Sequence, residues 1–157
     1  MSKRKNAILV VDDDKSITTS VSALLELEGY EVDIAESGKE AIEKSNGKFF
    51  DLALVDVRLP DMLGTELLNA MKETTPKMAK IILTGYPSMQ NAITAVNEGA
   101  DAFILKPVNG DKLLGVIKDR LQKREAAATY SEHRVAEFIE ARVEELHRQN
   151  RETNTAR

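Results

Sequence analysis

The chain has 157 residues, of which 42% are hydrophobic and 31% charged, a balance that excludes a disordered protein. The net charge of −4 argues against general nucleic-acid binding, and the absence of cysteine excludes disulfides and thiolate chemistry. The apolar run AILVV (7–11) is too short for a signal peptide or a membrane span. We therefore expect a cytoplasmic protein that binds neither nucleic acid nor membranes.

The first part of the chain predicts two β-strands, each followed by a helix. AILVV (7–11) is typical of a strand buried on both faces, and the helix after it is expected to end at Gly29. YEVDIA (30–35) alternates apolar and polar residues, which favours a strand nearer to an edge of the sheet. Ser37 and Glu40 fit a capping box that opens the second helix, which is expected to end near Gly47.

Three more strand and helix pairs follow. The apolar runs LALV (52–55), IIL (81–83) and AFIL (102–105) again suit strands buried on both faces. Pro76 is expected to end the third helix, and Gly99 the fourth. The apolar faces of the five helices are predicted at Ile17, Val21, Leu24 and Leu25; at Ala41 and Ile42; at Leu63, Leu67, Leu68 and Met71; at Met89, Ala92, Ile93 and Val96; and at Leu113, Leu114, Ile117 and Leu121.

This order makes five βα units in about 120 residues, so we predict an α/β fold with a doubly wound, five-stranded parallel sheet. From residue 119 onward the chain contains no strand-like run, no proline and no glycine, and it holds eight Lys/Arg and eight Asp/Glu. We therefore predict one α/β domain over residues 1–121 and a helical tail over residues 122–157, which continues the fifth helix.

Polar residues follow four of the predicted strands at their carboxyl ends. These ends meet at one edge of a parallel sheet, where ligands bind. Asp12, Asp13 and Asp56 should lie close together, and a hard cation such as Mg²⁺ would relieve the repulsion of their charges. Lys106 adds a positive charge and Thr84 a hydroxyl donor. Such a set suits phosphoryl transfer to a carboxylate nucleophile.

Each of these residues has a simpler explanation when it is considered alone. Asp14, like other aspartates before helices, is better explained as an N-cap. Thr84 is common in turns, and Lys106 would ordinarily be solvated. The joint pattern of polar residues at successive strand ends is what favours a functional site.

Four separated stretches resemble a known family. The chain is similar, over residues 6 to about 121, to the receiver domain of two-component response regulators, including chemotaxis receivers. The resemblance implies a flavodoxin-like strand order of 2-1-3-4-5. The matching stretches are ILVVDDD (8–14), LALVDVRLPDMLGTELL (52–68), IILTGYPS (81–88) and GADAFILKP (99–107).

The resemblance implies a role for each residue at the strand ends. Asp56 matches the aspartate that accepts a phosphoryl group from a sensor histidine kinase. Asp12 and Asp13 match the acidic pair that binds Mg²⁺ together with Asp56 and a backbone carbonyl, here that of Arg58. Lys106 matches the lysine that contacts the phosphoryl group. We therefore expect a signalling switch and not an enzyme that acts on a separate substrate.

The family also has a switching pair. Thr84 matches the hydroxyl that follows the phosphoryl group, and Phe103 matches the aromatic residue whose rotamer tracks phosphorylation. Phe103 stands where tyrosine is common, which keeps the ring but removes a hydroxyl hydrogen bond. Pro107 is expected to follow a cis peptide bond. Through Thr84 and Phe103, phosphorylation would remodel the surface of the fourth helix, fifth strand and fifth helix (α4-β5-α5).

The tail leaves several alternatives open. A heptad trace through Leu114, Ile117 and Leu121 breaks at Arg142, and a second apolar stripe includes Val135, Ile139, Val143 and Leu146. A homodimer through either stripe, or through the α4-β5-α5 surface, is one expectation. The alternatives are a helix that folds back on its own domain and a linker in a larger regulator or hybrid kinase. About 36 residues after Leu121 are too few for a further DNA-binding domain.

Two other functions compete with the receiver. A haloacid-dehalogenase-like phosphatase would use Asp12 as its nucleophile, because Asp12-x-Asp14 resembles the D-x-D signature of those enzymes. That function leaves Asp56 unexplained. A pure interaction module would never be phosphorylated and would not bind Mg²⁺.

Overall fold

The computed structural model describes residues 4–71, 77–85, 97 and 99–155. Five parallel strands form one sheet in the order β2-β1-β3-β4-β5, so the predicted doubly wound fold is confirmed. The fourth predicted helix (89–96) and Pro76 lie outside the described residues. The strands are β1 (Ala7–Val11), β2 (Glu31–Ala35), β3 (Leu52–Asp56), β4 (Ala79–Thr84) and β5 (Ala102–Leu105), and the helices are α1 (Lys15–Leu27), α2 (Gly38–Gly47), α3 (Gly64–Ala70) and a C-terminal helix (Gly110–Thr155).

The sheet separates two apolar clusters, one on each face. Successive side chains of a strand point to opposite faces, so Ile8 and Val10 of β1 join the cluster of α1 and the first turns of the C-terminal helix. Leu9 and Val11 join the other cluster, which contains side chains of α2 and α3. All four side chains are at most 1% exposed, and each stabilises the fold by roughly 1.5–3 kcal/mol. This two-sided burial explains why the strand has no polar alternation.

The two edges of the sheet only partly follow the sequence patterns. The alternating strand β2 lies at one edge, as predicted. The other edge is β5, whose AFIL run was expected to be buried on both faces like the inner strands. That expectation is met only in part: Ile104 packs against one apolar cluster and Phe103 against the other, but Leu105 is 46% exposed. A run of four apolar residues carries no information about whether a second strand lies beside it.

The helix ends confirm most of the predicted caps. Asp14 caps α1, since its side chain accepts the Ser16 N–H at 2.9 Å. Gly29 follows α1 with a φ of +90°, a conformation that favours glycine. Ser37 caps α2 by accepting the Glu40 N–H at 3.1 Å. The Glu40 carboxylate accepts an N–H one residue before the cap and not that of the cap itself, so the capping box is shifted by one residue.

A buried carboxylate that the sequence analysis did not identify lies at the amino end of the sheet. Asp51 has no exposed surface, and its side chain accepts the Ala7 N–H at 2.8 Å and an Arg4 N–H at 2.9 Å. These bonds hold the start of β1 beside β3. The carboxylate is far along the strands from Asp56, so it belongs to the scaffold and not to the site.

The chain divides into two compact units, Met1–Gln122 and Lys123–Arg157, and the boundary lies within the C-terminal helix. The second unit is helical through Thr155 and carries exposed apolar side chains together with exposed ion pairs. Among the described residues, no helix is both long and apolar enough to span a membrane.

Candidate functional site

Three carboxylates meet at the carboxyl edge of the sheet. Asp12 and Asp13 directly follow β1, and Asp56 ends β3, the neighbouring parallel strand in which Val55 pairs with Val11. One oxygen from each carboxylate lies within 4.8 Å of the other two. Asp12 is 1% exposed and Asp56 9%, whereas Asp13 is open to solvent. The sheet register therefore produces the carboxylate cluster that the strand-end pattern predicted.

Lys106 reaches this cluster from the end of β5. Its Nζ donates to Asp12 Oδ2 at 2.9 Å and to Asp56 Oδ1 at 3.2 Å. The backbone N–H of Lys106 donates to the Thr84 carbonyl at 2.7 Å, which fixes the start of the loop against β4. The peptide bond between Lys106 and Pro107 is cis. One ammonium group thus bridges two of the three carboxylates.

The charges of the site shift two pKa values. Burial raises the pKa of Asp56, and the nearby Asp12 charge raises it further, against the attraction of Lys106. Burial alone would lower the pKa of Lys106, but its bonds to Asp12 and Asp56 outweigh burial and raise it. The lysine is therefore held in its charged form. The charge of Lys106 does not neutralise three carboxylates, so the cluster favours a further cation.

The donor set of the cluster fits Mg²⁺. This ion prefers six oxygen ligands at about 2.1 Å, so neighbouring ligand oxygens lie about 3 Å apart and opposite ones about 4.2 Å. Three carboxylate oxygens lie within 4.8 Å of one another, so small side-chain shifts would bring them to the spacing of a Mg²⁺ octahedron. Waters and one backbone carbonyl would complete the octahedron.

The structure also places the remaining predicted residues. Thr84 ends β4, one residue beyond the partner of Asp56 in the sheet, and is fully buried. Phe103 is half-buried on β5 and packs against the cluster that contains α2 and α3. Arg58 is exposed two residues after Asp56 and pairs with Leu63 across a short antiparallel bridge.

The loop between β3 and α3 folds back on itself beside Asp56. The Leu59 N–H donates to the Met62 carbonyl at 3.0 Å, and the Gly64 N–H donates to the Val57 carbonyl at 2.8 Å. A Cβ at Gly64 would overlap the main-chain oxygen of Asp56, so only glycine permits this close return.

Asp61, in the same loop, is a residue that the sequence analysis did not single out. Its carboxylate accepts the N–H groups of Gly38 and Lys39 at the start of α2. The signal in the sequence was weak, because an acid after Pro60 is also common in solvated turns. Its partners lie more than 20 residues away, and only the folded chain brings them together.

The geometry does not support the phosphatase alternative. The D-x-D pattern requires Asp14 to serve in the site, but the Asp14 side chain is bonded to the Ser16 N–H and hydroxyl as the cap of α1. These two bonds also lower the pKa of Asp14. Asp56, which that alternative leaves unexplained, lies at the centre of the cluster.

Comparisons with known proteins agree with this geometry. The family model of the response regulator receiver domain matches residues 8–118. The transcriptional regulatory protein ZraR of Klebsiella oxytoca is 40% identical over 121 residues, which are 77% of this chain and 27% of ZraR. The chain therefore spans about a quarter of that relative.

Solved structures are similar over nearly their whole length. A CheY-like receiver domain protein from Methanospirillum hungatei JF-1 superimposes with a TM-score of 0.75 at 48% identity, over 79% of this chain and 99% of that one. The beryllofluoride-activated NtrC4 receiver domain dimer gives a TM-score of 0.71 at 38% identity, over 75% of this chain and 98% of that one. With these matches and the carboxylate cluster together, the chain belongs to the response regulator receiver domain family.

Proposed function

We propose that Asp56 is the phosphoacceptor of this receiver, and that the chain works as a signalling switch controlled by a sensor histidine kinase and Mg²⁺. The observation that carries the proposal is the meeting of Asp12, Asp13 and Asp56 within 4.8 Å, with Lys106 bonded to two of them. These groups come from three strands, so their convergence is not explained by local capping or by solvation.

The chemistry follows from these groups. A carboxylate oxygen of Asp56 attacks the phosphorus of a phosphohistidine, the P–N bond breaks, and the imidazole leaves with the kinase. Lys106 then offsets the negative charge that arrives with the phosphoryl group. A bound Mg²⁺, held by Asp12, Asp13, Asp56 and the Arg58 carbonyl, would supply further charge neutralisation. Attack by water later releases inorganic phosphate and regenerates the Asp56 carboxylate.

The switching step is also a proposal. The phosphoryl group adds a charge of about −2 and three acceptor oxygens, which attract the Thr84 hydroxyl. Movement of Thr84 leaves space for the half-buried ring of Phe103 to turn inward. The surface that responds includes β5 and the C-terminal helix, while the fourth predicted helix lies outside the described residues.

Acetyl phosphate with Mg²⁺ tests the phosphoacceptor. We expect a mass increase of about 80 Da in the wild-type chain and none in Asp56→Asn, since the amide cannot form the acyl phosphate. Asp12→Asn serves as the control: it is expected to react more slowly but still to gain the mass. A mass increase in Asp56→Asn would contradict the proposal, and Asp12→Asn as the only inactive variant would favour the phosphatase.

We further propose that the tail forms a homodimer. Val135, Ile139, Val143 and Leu146 lie along one face of the helix and are 45–57% exposed. An exposed ion pair such as Arg142–Glu145, at 3.1 Å, stabilises a helix by only about 0.3–0.5 kcal/mol. A second copy would cover the apolar stripe. The NtrC4 receiver is itself a dimer, but that structure matches 75% of this chain, so it supports association through the receiver and not through the tail stripe.

ZraR is a transcriptional regulatory protein, but this chain matches only 27% of it, so that role belongs to the relative. The expected kinase partner, the cytoplasmic location and the absence of nucleic-acid binding stay predictions from the sequence.

A further inference from the structure

Asp61 connects the loop after β3 to the N-terminus of α2. Its Oδ1 accepts the Gly38 N–H at 2.8 Å and its Oδ2 accepts the Lys39 N–H at 2.9 Å. The bond from Gly38 is the largest cause of a lowered pKa of Asp61, and the bond from Lys39 lowers this pKa further. The carboxylate is therefore kept ionised against the positive end of the helix dipole.

The contact is a tertiary link and not a local cap. Ser37 already caps α2 and accepts the Glu40 N–H, which leaves the two preceding N–H groups of the helix for Asp61. A Cβ at Gly38 would overlap the side chain of Met62, so the loop lies directly against the first turn of α2. The hydrogen bonds of Asp61 and the packing of Met62 against Gly38 both hold this loop to the N-terminus of α2.

This link joins the two sides of the carboxylate cluster. On one side, the Asp12 N–H donates to the Ala35 carbonyl at 3.1 Å, two residues before the cap of α2. On the other side, the loop that carries Asp61 also carries Arg58 and is closed by its own backbone bonds. The end of β2, just before α2, thus contacts the backbone of Asp12, and the first turn of α2 contacts the loop that carries Arg58.

We propose that Asp61 is a positioning residue of the cation site: by binding the start of α2, it holds the Arg58 loop in register with Asp12 and Asp13 and so raises the affinity for Mg²⁺. The inference rests on the proposed function, because the Arg58 carbonyl is a metal ligand only there. Asp61 itself contacts neither the cation nor the phosphoryl group.

The test compares the Mg²⁺ dependence of phosphorylation by acetyl phosphate in the full chain. We expect Asp61→Ala to raise the half-saturating Mg²⁺ concentration about 10-fold, as loss of a supporting contact does in other metal sites. The rate at saturating Mg²⁺ should stay within about two-fold, because the reacting groups are unchanged. Asp61→Asn, which keeps one acceptor oxygen, should give a smaller shift in the same direction. Calorimetric titration with Mg²⁺ alone should show the same order of affinities.

Two controls separate positioning from loss of helix stability or of charge. Ser37→Ala removes a different hydrogen bond at the same end of α2, and Glu36→Gln removes a nearby negative charge. Neither position is hydrogen-bonded to the loop through its side chain, so both variants should keep the half-saturating Mg²⁺ concentration within about two-fold of wild type. Circular dichroism checks that each variant is folded. If Asp61→Ala does not fold, Asp61→Asn is used for the comparison.

The outcomes distinguish the two proposals. An unchanged Mg²⁺ dependence in the Asp61 variants, or an equal shift in Ser37→Ala or Glu36→Gln, would overturn the role of Asp61 and leave the proposed function standing. A wild-type chain that neither binds Mg²⁺ nor gains phosphate would overturn both.

Discussion

At the scale of single residues, the site is a balance of charges that the fold holds close together. Asp56 and Asp12 repel each other in a partly dry environment, and Lys106 offsets only part of this repulsion. The raised pKa of Asp56 means that its ionised form is less favourable in the folded chain than in the unfolded one. The fold thus holds the Asp56 carboxylate in a place where its ionised form lowers stability.

This balance makes the stability of the site dependent on pH. The pKa of Asp56 is raised above the ordinary value of 3.8, so its unfavourable contribution is absent at low pH and grows as pH rises from about 4 towards neutrality. Without Mg²⁺, Asp56→Asn should increase the free energy of unfolding by on the order of 1 kcal/mol at pH 7, and the gain should vanish near pH 4. Urea denaturation of both proteins across this range measures the difference.

Glu43→Gln is the matched control, since Glu43 is an exposed carboxylate of α2. Its unfolding free energy should follow that of wild type at each pH. A gain in Asp56→Asn that is constant across the pH range, or a loss at pH 7, would contradict the prediction.

At the scale of elements, the strand ends supply the reacting groups, and the loops determine how closely these groups approach one another. The loop after β3 returns so tightly that the backbone of Gly64 contacts that of Asp56. Gly115 is different, because it lies in the second turn of the C-terminal helix and a Cβ there would meet nothing within 4 Å.

These two glycines should respond in opposite directions to the same substitution. Gly64→Ala forces a Cβ against the Asp56 carbonyl, and we expect it to destabilise the fold by roughly 2–3 kcal/mol. Gly115→Ala should stabilise it by roughly 0.5–1 kcal/mol, because alanine is the better helix former and no contact opposes it. Denaturant midpoints at constant slope give both values. Similar effects of the two substitutions would show that the close return at Gly64 is not a constraint.

At the scale of the whole molecule, the chain combines a receiver unit that has two apolar clusters with a helical unit whose apolar side chains are exposed. The receiver unit buries most of its apolar side chains in these two clusters, although Leu27, Leu63 and Leu105 are exposed. The apolar stripe of the tail is exposed in the single chain, and the proposed homodimer would cover it.

One residue of the stripe tests this association. Val143→Glu places a charge on the apolar face and should weaken dimerisation at least 10-fold, because a buried unpaired carboxylate is strongly unfavourable. Ala141→Glu adds the same charge on the opposite, exposed side of the helix and should leave the dimer intact. Sedimentation equilibrium should show a species of about twice 17.4 kDa for wild type and Ala141→Glu. A monomeric wild type, or equal weakening in both variants, would contradict the proposal.

The sequence by itself determined the elements and the strand ends on which the site is built. Strand identity followed from apolar runs such as AILVV, and the caps at Asp14 and Ser37 followed from their immediate neighbours. Strands and caps can be predicted from such patterns because they depend on residues only a few positions apart in the sequence. The strand order came from the family resemblance and was confirmed by the sheet.

Only the tertiary structure decided which atoms of the distant strand-end groups bond to one another, and which further groups join them. Lys106 bonds to Asp12 across 94 residues, and Asp61 binds α2 across more than 20, through the way that separate loops pack at one edge of the sheet. The tertiary structure likewise showed that β5 is an edge strand with partly exposed side chains, although its apolar run resembles that of an inner strand. No local pattern encodes these relations, because they depend on sheet register and on loop paths that form when the whole chain is folded.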